Sequence, residues 1–414
     1  MDHHRAELEE LQEKDPDFYE FLKEQDADLL DFNESDYEMD EAEDGDGGKE
    51  EDDTEGEDEE GEEAEEEKTN PLMALLTSMA EATQPAELIT LIDSVDALTG
   101  KFIRISKMRR LLIKFLVKVW SRKSIDERQS AFNILKKLSK YGSKNFTTIY
   151  KKCYIAYVSV SRNVSSNSWK KLLFMQRTYA ELTYLNPDVS YQLAFSYIRQ
   201  FAIHLRNAKI AKRKDLIKTV YNWQYVLGLY LWASVLVYGN EHKDEFTGVD
   251  WINELIYNVI QITMGLIGVF TAPRFVPLRL HCVRILLQIQ VHCDMFIPTL
   301  SLAADCLNDL IQIDKTKPSQ GKSTQKATQI RNFIQLKNEM LKDVNYRRKV
   351  AKEIAEVLAD AAQVIKEDPA FFEVYIPVKV TLKSFLRNCK NVEHKKMFKA
   401  FEQSIQGQDQ DVES

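Results

Sequence analysis

Two short motifs in this 414-residue chain have residue types that could form a phosphate site or a metal site. The first, GKST at 321–324, resembles the end of a phosphate-binding loop. That loop needs a glycine five residues before Gly321, but Thr316 occupies the position, and no strand pattern precedes the motif. We therefore predict a polar linker here and no nucleotide site.

The second motif is a repeated His-Cys pair, His281-Cys282 and His292-Cys293. The pairs lie eleven residues apart on one predicted helix, which separates them by roughly 16 Å. Zinc bonds near 2 Å cannot span that distance, so the pairs are predicted to be core residues. The chain also contains no Gly-x-Ser-x-Gly and no HExxH motif. The sequence predicts no catalytic site, no metal and no cofactor, and it does not favour an enzyme.

A basic helical face is the strongest indication of a binding surface. The stretch KFIRISKMRRLLIKFLVKVWSRK, 101–123, contains no acidic residue. At 100° per residue its apolar side chains share one face and its cations another. A solvated face usually carries both signs of charge, so we favour contact with RNA phosphates. The candidate contacts are Arg104, Lys107, Arg110, Lys114, Lys118 and Arg122.

HLRNAKIAKRK, 204–214, is a second basic stretch at the end of a predicted helix. It could contact phosphate or act as a weak nuclear import signal, but helix C-termini favour cations in any case. Both interpretations stay open. YRRK at 346–349 is a weaker third cluster. The candidates in the second stretch are Arg206, Lys209, Lys212, Arg213 and Lys214.

Charge divides the chain into an acidic N-terminal part and a basic body. Residues 34–67 hold 22 Asp and Glu against one Lys, and residues 1–33 carry a net charge of −9. Because the whole chain carries −10, residues 68–414 carry +20. A body this basic favours a polyanionic partner. The acidic tract is predicted to be disordered, since it offers little apolar surface to bury.

DPDFYEFLKEQDADLLDF, 15–32, precedes that tract and is itself amphipathic. On a helix its large apolar residues share one face, which we expect to dock in a groove of the helical array or of a partner. Ser35 and Thr54, each followed by acidic residues, are candidate sites for an acid-directed kinase. The predicted docking residues are Phe18, Phe21, Leu22, Leu29 and Phe32.

From Asn70-Pro71 onward the apolar residues follow a helical period, with helices predicted at 104–121, 213–238, 250–268 and 329–340 among others. Many helices with short loops indicate an all-α fold, either a HEAT-like α-solenoid or a globular bundle. The predicted segments are a docking helix (1–33), a disordered acidic tract (34–69), a helical array (70–313), a linker (314–328), the last helices of the array (329–405) and a tail (406–414).

Two compartment predictions follow from composition. Five cysteines without a CxxC motif, and an N-terminus without an apolar signal region, indicate a reducing compartment. TVYNWQYVLGLYLWASVLVYGN, 219–240, reaches membrane length without a charge. Because it contains Asn222, Gln224 and Asn240, we favour a buried central helix over a transmembrane span.

Several stretches resemble the nucleolar complex protein 2 family. They are DPDFYEFLKEQDADLLDF (15–32), LNPDVSYQLAFSYIRQFAIHLRNA (185–208), VYNWQYVLGLYLWASVL (220–236), PLRLHCVRILLQIQ (277–290), FIPTLSLAADCL (296–307) and FFEVYIPVKVTLKSFLRNCKN (371–391). The resemblance implies a HEAT-like scaffold of the nucleolus and nucleoplasm that pairs with nucleolar complex proteins 1 and 3. It also implies a role on precursors of the large ribosomal subunit. The competing interpretation is a histone chaperone whose acidic tract holds basic histone tails.

Overall fold

The computed structural model describes residues 62–82, 84–165, 168–211, 214–317, 329–366 and 371–412. Every regular element in these ranges is a helix, and no strand occurs among them. The prediction of an all-α fold is therefore confirmed, while the HEAT-like repeat stays a prediction. The docking segment, both kinase candidates, most of the acidic tract and GKST lie outside the described residues.

The N-terminal half of the body consists of long helices joined by short connections. They are α1 (Glu62–Glu81), α2 (Pro85–Arg104), α3 (Ser106–Arg122), α4 (Ile125–Ser139), α5 (Ser143–Val160), α6 (Ser168–Thr183), α7 (Pro187–Ala211), α8 (Lys214–Val220) and α9 (Trp223–Glu241).

The C-terminal half continues with α10 (Val249–Asn253), α11 (Ile256–Val269), α12 (Val276–His292), α13 (Thr299–Lys315), α14 (Asn338–Lys342), α15 (Val344–Ile365), α16 (Phe371–Asn388) and α17 (Val392–Val412). Short 3-10 turns occur at Pro273–Phe275 and Ile330–Asn332.

Three predicted helices are divided by residues with non-helical backbone or by local turns. Ile105 is extended (φ −103°, ψ 106°), so the helix predicted at 104–121 begins at Ser106. Asn222 is also extended and caps α9 by accepting the Tyr225 backbone N–H at 2.7 Å, which splits the helix predicted at 213–238. The helix predicted at 250–268 is interrupted between α10 and α11.

Two further boundaries differ from the sequence prediction. The first described helix already includes residues 62–70, ahead of the predicted Pro71, because glutamate is a strong helix former. The prediction of a helix at 329–340 is wrong. There the chain forms a 3-10 turn, and the Leu336 backbone N–H then donates at 2.8 Å to the carbonyl of Arg274, which lies in the 3-10 turn before α12.

Helices that are close in sequence pack together. In the first half α3 packs against α2, α4 and α5, and α9 lies between α6 and α12. In the second half α13 packs against α12, α15 and α16, and α17 packs against α15 and α16. These contacts join helices that are close in sequence.

Helix α9 is the buried centre of the body. Its Trp232 is 1% exposed and lies within an aromatic cluster with Tyr154, Tyr179 and Tyr197. Near its C-terminus Gly239 allows close approach, since an added Cβ would lie 2.0 Å from the Tyr184 hydroxyl oxygen. The prediction that 219–240 contains a buried central helix is confirmed for the part that forms α9.

A different stretch, Val249–Val269, is the one among the described residues that is long and apolar enough to cross a bilayer. Half of its apolar window is buried inside the body. The break between α10 and α11 falls within it.

Two buried polar groups hold α12 in place. Arg279 forms an ion pair with Asp309 of α13, and burial raises the pKa of Asp309 to about 6 although the guanidinium lowers it. His281 stacks on Trp169 and lies 3.1 Å, through Nδ1, from the Tyr230 hydroxyl. Burial, more than any neighbouring charge, lowers the pKa of His281 to about 3, so the ring is neutral at physiological pH.

Candidate nucleic-acid interface

The basic face predicted on 101–123 is present on α3. Lys107, Arg110, Lys114 and Lys118 are exposed, and Arg122 is exposed in the last turn. Because α3 contains no acidic residue, this surface carries one sign of charge along a length of roughly 16 Å between Lys107 and Lys118. We call these five residues the α3 basic face. Such a face is suited to a polyanion that runs along the helix.

The predicted face requires one correction. Arg104 ends α2 instead of starting α3, because the extended backbone of Ile105 separates the two helices. The side chain of Arg104 is not among those that the structure describes. The opposite face of α3 behaves as predicted, with Met108, Leu112 and Leu116 buried.

A buried contact attaches α3 to a neighbouring helix. The Trp120 indole Nε1–H donates to the Thr178 hydroxyl of α6 at 3.0 Å. Helix α4 follows directly and begins with a capping box, in which the Ser124 backbone N–H donates to the Glu127 carboxylate at 2.8 Å. The cations of α3 are therefore displayed from a helix that is bonded to α6 and packed against α2, α4 and α5.

Arg128 is a positioning residue that the sequence analysis missed. Its side chain is fully buried and donates to the Lys123 carbonyl at 2.8 Å, to the Lys171 carbonyl at 3.3 Å and to the Ser121 carbonyl. Burial lowers the pKa of Arg128, but a guanidinium stays protonated in proteins. It therefore satisfies carbonyls at the C-terminus of α3, where a cation is favourable. In the sequence, a lone arginine in a mixed-charge helix gave no sign of this role.

The second basic stretch is only partly placed. Arg206 and Lys209 are exposed near the end of α7, beside Ile210, which is 69% exposed. Lys212 and Arg213 lie outside the described residues, and the side chain of Lys214 is not described. Contact between this stretch and phosphate remains a prediction.

The YRRK cluster at 346–349 is mainly structural. Arg347 is buried and donates to the Leu341 carbonyl at 2.7 Å and to the Thr316 carbonyl at 2.8 Å. Arg348 forms a charge-assisted pair with Glu393, which raises the pKa of the arginine and lowers that of the glutamate. Both arginines are thus bound within the body.

A second basic surface, which the sequence analysis did not single out, lies on α16 and α17. A pocket of about 370 Å³ between these helices has an apolar floor and a cationic rim. Nearby, Ile376 and Val380 on α16 are each more than half exposed. The residues that line the pocket are Leu386, Val392, Lys395, Lys396 and Lys399.

The two His-Cys pairs behave as core and surface residues of one helix. His281 and Cys282 are buried, whereas His292 Nδ1 lies 3.1 Å from a Glu241 carboxylate oxygen. Cys293 Sγ accepts from the Asn240 side-chain amide at 3.4 Å. The pairs do not converge, in agreement with the prediction, but the prediction that both lie in the core is wrong for His292, which is exposed.

Comparison with known proteins identifies the family of this chain. Residues 144–414, which include every helix from α6 onward, match the sequence model of the Noc2p family. The chain belongs to the Noc2p family. Helix α3 precedes the matched residues, so the match with the Noc2p family covers the basic surface of α16 and α17 but not the α3 basic face.

Curated members of the Noc2p family extend the match. "Nucleolar complex protein 2 homolog" of Caenorhabditis elegans is 35% identical over 335 residues, which cover 81% of this chain and 46% of the relative. "Nucleolar complex protein 2" of Drosophila melanogaster is 29% identical over 336 residues, 81% of this chain and 42% of the relative. "Nucleolar complex-associated protein 2" of Arabidopsis thaliana is 27% identical over 259 residues, 62% of this chain and 32% of the relative. The chain thus spans less than half the length of these relatives.

Proposed function

We propose that this chain is a non-catalytic scaffold in the assembly, maturation and intranuclear transport of large ribosomal subunit precursors. It acts in the nucleolus and nucleoplasm as a heterodimer with nucleolar complex proteins 1 and 3 or their equivalents. Membership of the Noc2p family and the printed names of its relatives support this proposal. The all-helical fold is also consistent with the HEAT-like array that we predict for such a scaffold.

The observation that carries an RNA-binding role is the α3 basic face. Five cations of one sign are exposed on one side of a helix that Trp120 and Arg128 fix in place. Precursor rRNA supplies phosphates in a continuous line, and neutralising them releases counterions. We propose the same RNA contact for α7, where Arg206 and Lys209 are exposed.

Docking of 15–32 on a partner is the second part of the proposal. The amphipathic pattern places Phe18 and Leu22 on one helical face, where they would fill a groove of a partner array. Replacing both with Ala should weaken partner recovery. Tyr19→Ala with Leu30→Ala is the matched control, because these residues lie on the other face of the same segment. Equal recovery of the partner by both double variants would count against docking.

The acidic tract, 34–67, then serves as a tether that limits indiscriminate RNA binding, and Ser35 and Thr54 are proposed sites of its phosphorylation. Its charge also supports the histone-chaperone alternative. Deleting 34–67 separates the two functions. A scaffold keeps its partner and its place on precursor particles, whereas a chaperone loses its histones.

Sedimentation of the tagged chain from a nuclear extract is the direct test. Gradient fractions are probed for large-subunit precursor rRNA, with and without ribonuclease. We expect comigration with precursor particles that ribonuclease abolishes. A peak only at the top of the gradient, together with histones, would replace the scaffold by the chaperone.

A further inference from the structure

Three side chains of the types that bind zinc converge where the end of α13 meets the connection between α16 and α17. His394 Nδ1 lies 2.9 Å from Asp314 Oδ2, and Cys389 Sγ lies 3.8 Å from the same oxygen. The three ligand atoms all lie within 4.8 Å of one another. This is the one such Cys, His and carboxylate group found in the part of the chain that the structure describes.

The group is buried. The side chains of His394 and Asp314 are 1% and 8% exposed, and Cys389 is 2% exposed. Burial of a carboxylate and a thiol beside an imidazole is costly unless the charges are compensated. A divalent cation bound by a thiolate, a carboxylate and a neutral imidazole gives a site of zero net charge.

Two of the three separations between ligand atoms are close to those of a tetrahedral zinc site. With bonds of about 2.3 Å to sulfur and about 2.0–2.2 Å to nitrogen and oxygen, tetrahedral geometry separates ligand atoms by roughly 3.3–3.7 Å. The Sγ to Oδ2 distance of 3.8 Å already agrees. The Nδ1 to Oδ2 distance of 2.9 Å needs an opening of about half an ångström, which side-chain rotation supplies.

Local structure holds two of the ligands. Cys389 follows the last turn of α16, where its backbone N–H donates to the Phe385 carbonyl at 2.8 Å. His394 lies in the first turn of α17, which Asn391 caps by accepting the Glu393 backbone N–H at 3.0 Å. The ligands are thus positioned by two helix ends, without a long flexible segment between them.

We propose that Asp314, Cys389 and His394 bind a zinc ion, with a water as the fourth ligand. Zinc binds Cys389 Sγ, His394 Nδ1 and Asp314 Oδ2. The thiol proton is released to solvent, and the imidazole retains one proton, on Nε2, 3.4 Å from the Asn391 side-chain amide.

The site would connect α13 to the two helices that carry the second basic surface. Without metal, a hydrogen bond between Asp314 and His394 is the main polar contact in this group. Zinc replaces it with three bonds that join the helical body to its last helix. The consequence is a fixed position of α17, and so of the Lys395, Lys396 and Lys399 rim.

The test is the zinc content of the purified full-length chain. The protein is expressed in zinc-supplemented medium and purified without chelators and without a histidine tag, and zinc is measured by mass spectrometry. We expect about one zinc per chain, and loss of it in Cys389→Ser and His394→Ala. Cys293→Ser is the matched control, because Cys293 also lies beside a histidine but belongs to no convergent group. It should retain the zinc.

Asp314→Asn covers the case in which the first two variants fail to fold. This change keeps a hydrogen-bonding group beside His394 but removes the anionic ligand, so we expect at least tenfold weaker zinc binding with an unchanged helical spectrum. A strong chelator should lower the thermal midpoint of the wild-type chain and leave that of Asp314→Asn unchanged. A wild-type chain without zinc would overturn the proposal and leave a hydrogen-bonded cluster only. Equal zinc in the wild type and Cys389→Ser would overturn it too, because the metal would be held elsewhere.

Discussion

Neutralising the α3 basic face is the sharpest test of direct RNA contact. The variant combines Lys107→Gln, Lys114→Gln and Lys118→Gln, which are exposed and lie on one side of the helix. Lysine and glutamine have similar helix propensities, so α3 and its buried face should be unchanged. Any loss of RNA binding then reports the removed charges.

The expected loss follows from counterion release. Each phosphate contact contributes about 0.7 to the slope of log affinity against log salt for single-stranded RNA, and about 0.9 for a duplex. Three lost contacts therefore reduce the slope by about 2 to 3. Relative to a 1 M reference, this corresponds to a roughly 50- to 150-fold weaker affinity at about 0.15 M salt.

The assay is fluorescence anisotropy with labelled single-stranded and duplex RNA across a series of salt concentrations. Lys243→Gln, Lys342→Gln and Lys352→Gln together form the matched control. These lysines are also exposed, but each lies next to or pairs with an acidic residue, as Lys352 does with Glu356. The control should keep the wild-type slope.

A slope that does not change in the α3 variant would refute the reasoning, because the three lysines would then make no phosphate contact. Equal losses in the α3 variant and its control would also refute it. That result would mean that RNA responds to the net charge of the body and not to this face.

Three predictions concern the stability of the body, each measured by chemical denaturation. Asp309→Ala should destabilise it by about 3–5 kcal/mol, because Arg279 is left buried without its partner; a loss below about 1 kcal/mol would show that the pair contributes little. In the folded protein the pKa of His281 is about 3, below its usual 6.5, so protonation favours the unfolded chain. The stability that the neutral ring contributes is therefore complete above pH 6.5 and is lost as the pH falls toward 3. Between pH 6.5 and 5 the wild type should lose roughly 1.5 kcal/mol more than His281→Phe, and parallel losses would exclude this cause. Gly239→Ala should cost about 1–3 kcal/mol through overpacking, whereas Gly268→Ala, with open space around its Cβ, should be neutral or stabilising; equal effects would contradict the packing argument.

Helical periodicity predicted much of the fold because each long helix buries one continuous stripe. The stretch 101–123 is predicted to bury one apolar face, and Met108, Leu112 and Leu116 of α3 are buried along it. Prediction failed where a local backbone change interrupts an apolar pattern. Ile105 and Asn222 are extended, yet their neighbours in sequence continue the helical period.

The sequence by itself determined the helical class and the cations of α3, because both depend on the order of residues within one element. It also indicated a buried helix within 219–240, because this uncharged apolar stretch contains the polar Asn222, Gln224 and Asn240. The family was recognisable from blocks of sequence alone, and the match over 144–414 confirms it.

Only the tertiary structure decided which charged residues have partners on other segments of the body. Arg128, Arg347 and Arg348 look like other surface cations in the sequence, but carbonyls or carboxylates from other segments engage them. The approach of Asp314 to His394, 80 residues away, is equally invisible in the sequence. Contacts of this kind depend on how separate helices pack, whereas periodicity reports only the face that each helix buries.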